Sequence, residues 1–526
     1  MRKHYLTSPS TRREFVADSL RSAAALVALG NLPARRDDSA WHTRAYPFTL
    51  GVASGDPLPD GFVAWTRLAP DHLGGGGMPA RPVPVRYEIA SDDSFRQVVQ
   101  RGEVLALPDL AHSVHVEVAG LAPAREYFYR FIAGADVSPV GRAVTAPVLG
   151  AAHSALRFAF ASCQHYEHGY FTAYRHLVND NVDLVVHLGD YIYEYGIATN
   201  NPNPIRRHDG EEIITLAQYR NRFALYKSDR DLQNAHASAP FIVTWDDHEV
   251  ENNYANAISE NNDPPEQFLK RRAAAYQAYY EHLPLRRTSM PSGREMRVYR
   301  RVHYGNLAEF NVLDSRQYRS DQPCADGRKP RCPEAFDPNR TLLGKEQEKW
   351  LLEGLGRSTA RWNLLANQVV MGDNMIRRPN ETADTYPLDT WNGYVAERQR
   401  ILDFLATRKP SNPVVLTGDI HVNIAMDLRA DWSRPTNPTV GVELVGTSIS
   451  SGGDGQPMTD WGRWTLQYNP HMKYFDARRG YVLCNVTRDR LSADYRIVPL
   501  VTRPGGGVET AATFVVENGK PMLQKN

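Results

Sequence analysis

The sequence predicts a small all-β sandwich followed by a larger α/β domain. Three observations predict it. Residues 47–150 carry short alternating strands with turn signals between them. From about residue 155, short apolar runs alternate with helical segments. The two styles meet near 150 in VLGAAHSA, a small-residue linker. A chain of 526 residues, 42% of them hydrophobic, is long enough for two domains with flexible ends.

Taken in order, residues 1–40 read as a signal and linker. Arg12-Arg13, then Phe15 and the small-residue stretch SAAALVALGNLPA (22–34), fit a twin-arginine export signal. That makes the Tat translocase a partner during export and the mature protein secreted or extracytoplasmic, in periplasm or cell wall. The competing reading is an amphipathic helix with a chance arginine pair. Residues 45–150 form the sandwich. VRYEIA (85–90), SVHVEV (113–118) and EYFYRF (126–131) are its clearest strands, with Val114, Val116 and Val118 on one face. GLAPAREYFYRF resembles the turn and tyrosine-bearing strand of fibronectin-III/Ig-like sandwiches, and this domain reads as scaffold. The larger domain spans 155–500. Its buried strands are LRFAFA (156–161), VDLVVHL (182–188), FIVTW (241–245), AEFNVL (308–313), NPVVLT (412–417) and VGVELVG (440–446). Its helices include 215–227 and 267–283. Residues 501–526 are read as a C-terminal tail.

Composition excludes some functions. Sixty-one basic residues against 60 acidic leave a net charge of +1, without the basic excess of a nucleic-acid-binding module. No apolar run approaches the ~18–20 residues of a transmembrane segment. Of four cysteines, Cys324 and Cys332 flank a polar Gly/Pro loop, and in an exported protein a local disulfide is expected there. Cys484, in the strand YVLCNV, reads as buried and inert. Cys163 needs a separate account.

That account comes from the strand ends. FAFA runs into Cys163, and LVVHL into GDYIY with Asp190 and Tyr193. FIVTW runs into DDHEVENN, with Asp246, Asp247, His248 and Asn252; VVLT runs into GDIHVN, with Asp419 and His421. AEFNVL runs into DSRQYR, with Asp314, Arg316 and Arg319. Ligand sites of α/β sheets lie beyond the carboxyl ends of strands, so five such clusters converge on one crevice. Each alone is an ordinary turn, helix cap or core cysteine. Together the carboxylates repel one another unless cations lie between them. Two cations about 3.5–4 Å apart polarise a phosphoryl group and supply hydroxide at moderate pH. The chemistry is phosphoester hydrolysis.

SCQ, GDYIYEY, TWDDHEVENN, ANQVV and TGDIHVN, in this order, resemble the alkaline phosphatase D (PhoD-like) family of calcineurin-like metallophosphoesterases. GVASGDP (51–57) and VAWTRLAP (63–70) resemble its N-terminal domain. The resemblance implies a four-layer α/β/β/α catalytic domain and a secreted, metal-dependent alkaline phosphatase/phosphodiesterase acting on phosphate esters. It implies Fe³⁺ and Ca²⁺, with Asp190 bridging. Cys163, Tyr193 and His421 then hold iron, and Asp247 and Asp419 the second metal, with Asn367 a weaker candidate there. Asp246 and Asp247 are interchangeable at this level. His248, beside a ligand, is the expected proton donor to the leaving group. Arg316 and Arg319 either grip phosphate oxygens or pair with nearby acids, and the role of His471 is open. A phospholipase D-like or teichoic-acid-directed phosphodiesterase is the alternative function. A binding module that has lost catalysis is disfavoured, because the expected ligand positions are filled.

Overall fold

The computed structural model of the protein describes residues 45–526, apart from 200, 380 and 435. The Arg12-Arg13 signal expected over 1–40 lies outside the described residues. Two large mixed sheets lie face to face. One has ten strands; the parallel trio Ala155–Ala161, Leu184–His187 and Pro240–Val243 sits at its centre. The other has seven, with Ala308–Val312, Trp362–Ala366, Pro413–Thr417 and Thr439–Val445 running parallel through it.

Strand alternation explains the layering. Phe158 and Phe160 point from the first sheet into a core shared with Phe310, Leu364, Leu416 and Leu444 of the second. Phe158 and Phe310 meet edge to face, ring centroids 5.2 Å apart. Ala159 and Ala161, on the opposite pleat, lie under Tyr174, Phe223 and Tyr276 of the outer helices. Leu365 and Val415, on the far face of the second sheet, pack against Leu351, Leu355, Ile401 and Leu405 of two further helices. The result is the α/β/β/α stack. Local signals start the helices where the sequence places them. Leu216–Lys227 opens on a capping box between Thr215 and Gln218. Arg230–Ser238 opens on Asp229, whose side chain accepts from two backbone N–H groups. No described helix is long and apolar enough to cross a membrane.

Two regions carry strand pairings beyond those expected. The region 45–150 is antiparallel β, as expected, and its two sheets face each other: the Phe62 and Tyr129 rings lie 5.8 Å apart, and Ser54 Oγ donates to Arg142 O. Val52–Leu58, Gly61–Arg67 and Ser113–Val118 extend the ten-stranded sheet, because Val52–Leu58 pairs in parallel with Pro240–Val243. The remaining strands, including Val83–Ala90, Val98–Ala106 and Glu126–Ala133, form their own sheet. The tail expected over 501–526 holds two strands, Glu509–Glu517 and Lys520–Lys525, at the other edge of the large sheet. Phe514, Val516 and Leu523 anchor it in the core between the sheets.

Candidate metal centre

The carboxyl ends of the central strands deliver the predicted residues to one place. Cys163, Asp190 and His421 each place a donor atom within 4.8 Å of the others. So do Asp190, Asp247 and His248, and so do Asp246, Asp247 and Asp419. These groups share members, so they form one continuous cluster. Tyr193 belongs to it: its hydroxyl donates to Asp190 Oδ2 at 2.8 Å and lies 3.1 Å from His421 Nε2.

The backbone is bent to aim these side chains. Cys163, Asp190, Asp419 and His421 all have φ between +54° and +65°, a region that non-glycine residues seldom occupy. Gly189 is obligatory. Its φ is +109°, and a Cβ there would lie 2.5 Å from Asp246 Cβ. The Cys163 N–H donates to Gly189 O and the Gln164 N–H to Asp190 O, each at 3.1 Å, which laces the first loop to the second.

The donors fit cations. Asp190 Oδ1, Asp246 Oδ2 and Asp247 Oδ1 are buried without a hydrogen-bond partner, an expensive state for carboxylates that nothing neutralises. Burial, and then Asp190, push the Cys163 thiol and the Tyr193 phenol well above their ordinary ranges. Burial also pushes Asp419 up to about 8, against the pull of Arg316. A bound cation reverses that balance by favouring the deprotonated donors. Thiolate, phenolate and imidazole suit a trivalent or soft ion at one end of the cluster, and carboxylates suit a hard divalent ion at the other. The side chains of Asp419 and His421 are 21% and 36% exposed, whereas those of Asp190 and Asp247 are 2% and 4% exposed. Entry is therefore from the 419–421 side.

His248 stands beside this cluster. Its Nδ1 is 2.7 Å from Glu194 Oε2, and the other Glu194 oxygen accepts the Asn252 N–H at 2.8 Å. Burial opposes a charge on His248, but Glu194, Asp247 and Asp190 outweigh it and hold the imidazolium well above its ordinary pKa. Asp247 is steadied by the Asn253 N–H, 2.7 Å from Oδ2.

The remaining residues singled out in the sequence have these surroundings. Arg316 is fully buried and held by carboxylates: Nε on Asp246, Nη1 on Asp389, and Nη2 3.4 Å from Asp247 and 3.8 Å from Asp419. The acid-pairing role is the one seen. Arg319 likewise pairs with Asp389, at 3.0 Å. Asn367 is not presented as a ligand. Its Oδ1 accepts from the Trp391 indole and its Nδ2 donates to Val369 O. Asp314 is consumed by Trp245 Nε1 and two backbone N–H groups. His471 lies 2.7 Å from Asp373 O and is structural. Cys324 and Cys332 are bridged, with Cα atoms 5.9 Å apart, and Cys484 is buried and free.

Sequence reasoning missed Glu194, Glu249 and Ser451. The first two sit inside the quoted motifs GDYIYEY and TWDDHEVENN. Ser451 Oγ lies 2.8 Å from the Tyr193 hydroxyl and 2.7 Å from Cys163 O. It follows the strand Thr439–Val445 in TSISSGG, a sixth strand end whose serines and glycines were the available signal.

Comparison with known proteins gives the family. The family model for PhoD-like phosphatase matches residues 158–495, and that for the PhoD-like phosphatase N-terminal domain matches 34–147. Alkaline phosphatase D of Bacillus subtilis (strain 168) is 50% identical over 519 residues, 98% of this chain and 89% of the relative. A solved structure of PhoD superposes with a TM-score of 0.90 at 52% identity, covering 92% of this chain and 93% of that one. The chain belongs to the PhoD-like phosphatase family.

Proposed function

We propose that this protein, a metal-dependent phosphoric ester hydrolase of the alkaline phosphatase D type, works through ferric iron and calcium. Iron is assigned to Cys163, Asp190, Tyr193 and His421. Calcium is assigned to Asp190, Asp247 and Asp419, with Asp246 held back from it by Arg316. The single observation behind this reading is the donor set: a thiol, a phenol, an imidazole and carboxylates with orphaned oxygens share one cluster. When bound, such a pair supplies Lewis acidity toward phosphoryl oxygens and lowers the pKa of water.

The chain's own residues do the rest. His248, with Nδ1 committed to Glu194, has Nε2 left to give a proton to the departing alkoxide. Glu194 keeps that ring charged and turned toward the cluster. Arg316 balances the carboxylates so that the donors stay together before metal arrives. Export through the twin-arginine route, to an extracytoplasmic site, is the localisation we propose. Its supports are Arg12-Arg13 and the Cys324–Cys332 bridge, which suits an oxidising compartment.

The test is elemental analysis of the purified protein with a visible absorption scan. Iron plus calcium, and a charge-transfer band that Tyr193→Phe abolishes, is the expected result. Absence of iron, or a band unmoved by that substitution, refutes the assignment. Turnover of a phosphomonoester, a phosphodiester and phosphatidylcholine then separates a broad phosphatase from a lipid-directed or wall-polymer enzyme.

A further inference from the structure

We propose that Glu249 is a positioning residue of the metal centre, clamping two ligand-bearing loops in register. The inference rests on the metal-centre reading above. The loops follow the neighbouring parallel strands Leu184–His187 and Pro240–Val243, whose strand register ends at His187 and Val243. The Thr244 N–H still reaches His187 O at 3.0 Å. Beyond that point the loops carry Asp190 on one side and Asp246 and Asp247 on the other, with no strand pairing to hold them together.

The carboxylate of Glu249 fills that gap. Oε1 accepts the Tyr191 N–H at 2.6 Å, and Oε2 accepts the Asp190 N–H at 3.2 Å and the Asp246 N–H at 2.9 Å. Three buried main-chain donors, one from the ligand Asp190 and one from Asp246 beside the ligand Asp247, thus end on one side chain that is itself 1% exposed. The carbonyls of the same 189–190 segment accept from Cys163 and Gln164. The Asp190 loop is therefore tied on one face by main chain to the Cys163 loop. On the other face it is tied by Glu249 to the Asp246–Asp247 loop. Supports of this kind orient ligands, and removing them typically weakens metal binding by about 10–100-fold.

Glu249→Gln tests this. An amide presents one oxygen, so either Tyr191 or the Asp190/Asp246 pair faces an NH₂ group and loses its acceptor. The control is Glu397→Gln. Glu397 is also buried and accepts the N–H groups of Leu342 and Leu343, outside the metal cluster. Full-length wild type and both variants are stripped of metal, titrated with Ca²⁺ by calorimetry, and analysed for retained iron as purified. The expected result is a Ca²⁺ affinity lowered by about 10–100-fold in Glu249→Gln, with less iron. Glu397→Gln is expected to lower the melting temperature but keep wild-type affinity. If Glu249→Gln does not fold, Glu249→Asp serves. It keeps the charge but is one methylene too short to span both loops, so the same loosening is expected. A folded variant at 249 that binds Ca²⁺ as tightly as wild type overturns the inference alone. A wild type that takes up no cation overturns the reading beneath it, and the inference with it.

Discussion

Replacing Glu194 by glutamine isolates the proton-donor role of His248. The Nδ1–Oε2 separation is 2.7 Å, and the two side chains are 10% and 1% exposed, so water screens the pair little. A hydrogen bond to a charged partner contributes roughly 1.5–3 kcal/mol, and glutamine keeps the shape while removing the charge. If that stabilisation is felt by the imidazolium as it approaches the leaving oxygen, kcat falls about 10–150-fold at ~1.4 kcal/mol per decade. The assay compares two monoesters. An alkyl phosphate leaves as a poor alkoxide and needs the proton, whereas a nitrophenyl phosphate leaves as a stabilised anion and does not. The alkyl ester is expected to bear the full loss and the nitrophenyl ester little of it. Equal losses on both esters, with melting temperature unchanged, refute the proton-donor argument. They leave Glu194 as a brace for Asn252, whose N–H it also accepts.

Other perturbations have definite outcomes. Gly189→Ala forces a Cβ to within 2.5 Å of Asp246 Cβ at a φ of +109°, so the purified variant is expected to be metal-poor; wild-type metal content contradicts this. Replacing Cys324 and Cys332 by serine opens a loop of sequence separation 8. By chain entropy this costs up to about 2.5 kcal/mol in urea unfolding. Because Asp326 in that loop accepts from Asn253 Nδ2 at 3.0 Å, and Asn253 steadies Asp247, a rise in KM is expected as well; an unchanged KM counts against the link. Lys227 is 2% exposed, and burial lowers its pKa to about 7. The unfolded lysine keeps its proton to about 10.5, so unfolding takes up a proton between those values and stability rises with pH across that window. Trp65, with its ring centroid 4.2 Å from Nζ, offsets part of the cost. Lys227→Met is therefore expected to be the more stable protein at pH 7.5, with the gap closing by about 1 kcal/mol per pH unit toward pH 10.5. Parallel pH profiles of stability refute it.

The quoted sequence runs became strands because period and length agreed. Pro413–Thr417 and Thr439–Val445 are mostly apolar and buried on both faces, as parallel strands between helices and a second sheet must be. The ligands were legible for a different reason: a carboxylate directly after such a run has few structural uses. What stayed illegible depended on long-range pairing. Nothing in VASGDPL shows that it will pair with Pro240–Val243 as well as with its hairpin partner, since its pattern names no distant neighbour. ETAATFVVE alternates clearly, but at a chain end it was taken for tail. Arg316 was ambiguous because a guanidinium serves phosphate and carboxylate alike, and only the positions of Asp246 and Asp389 decide between them. Glu194 and Glu249 were hidden among acids whose metal-binding roles explained the motif without them.

The large sheet is assembled from both extremities of the chain, and this sets a timetable for biosynthesis. Ala155–Ala161 is bordered by Leu184–His187 on one side and Arg479–Thr487 on the other. The second neighbour leaves the ribosome about 320 residues after the first strand, roughly 15–60 s later at ~5–20 residues per second. Throughout that interval a flat apolar edge stands uncovered, a template for intermolecular association. Products truncated before Arg479 leave that edge bare and are thus aggregation-prone clients for chaperones and proteases.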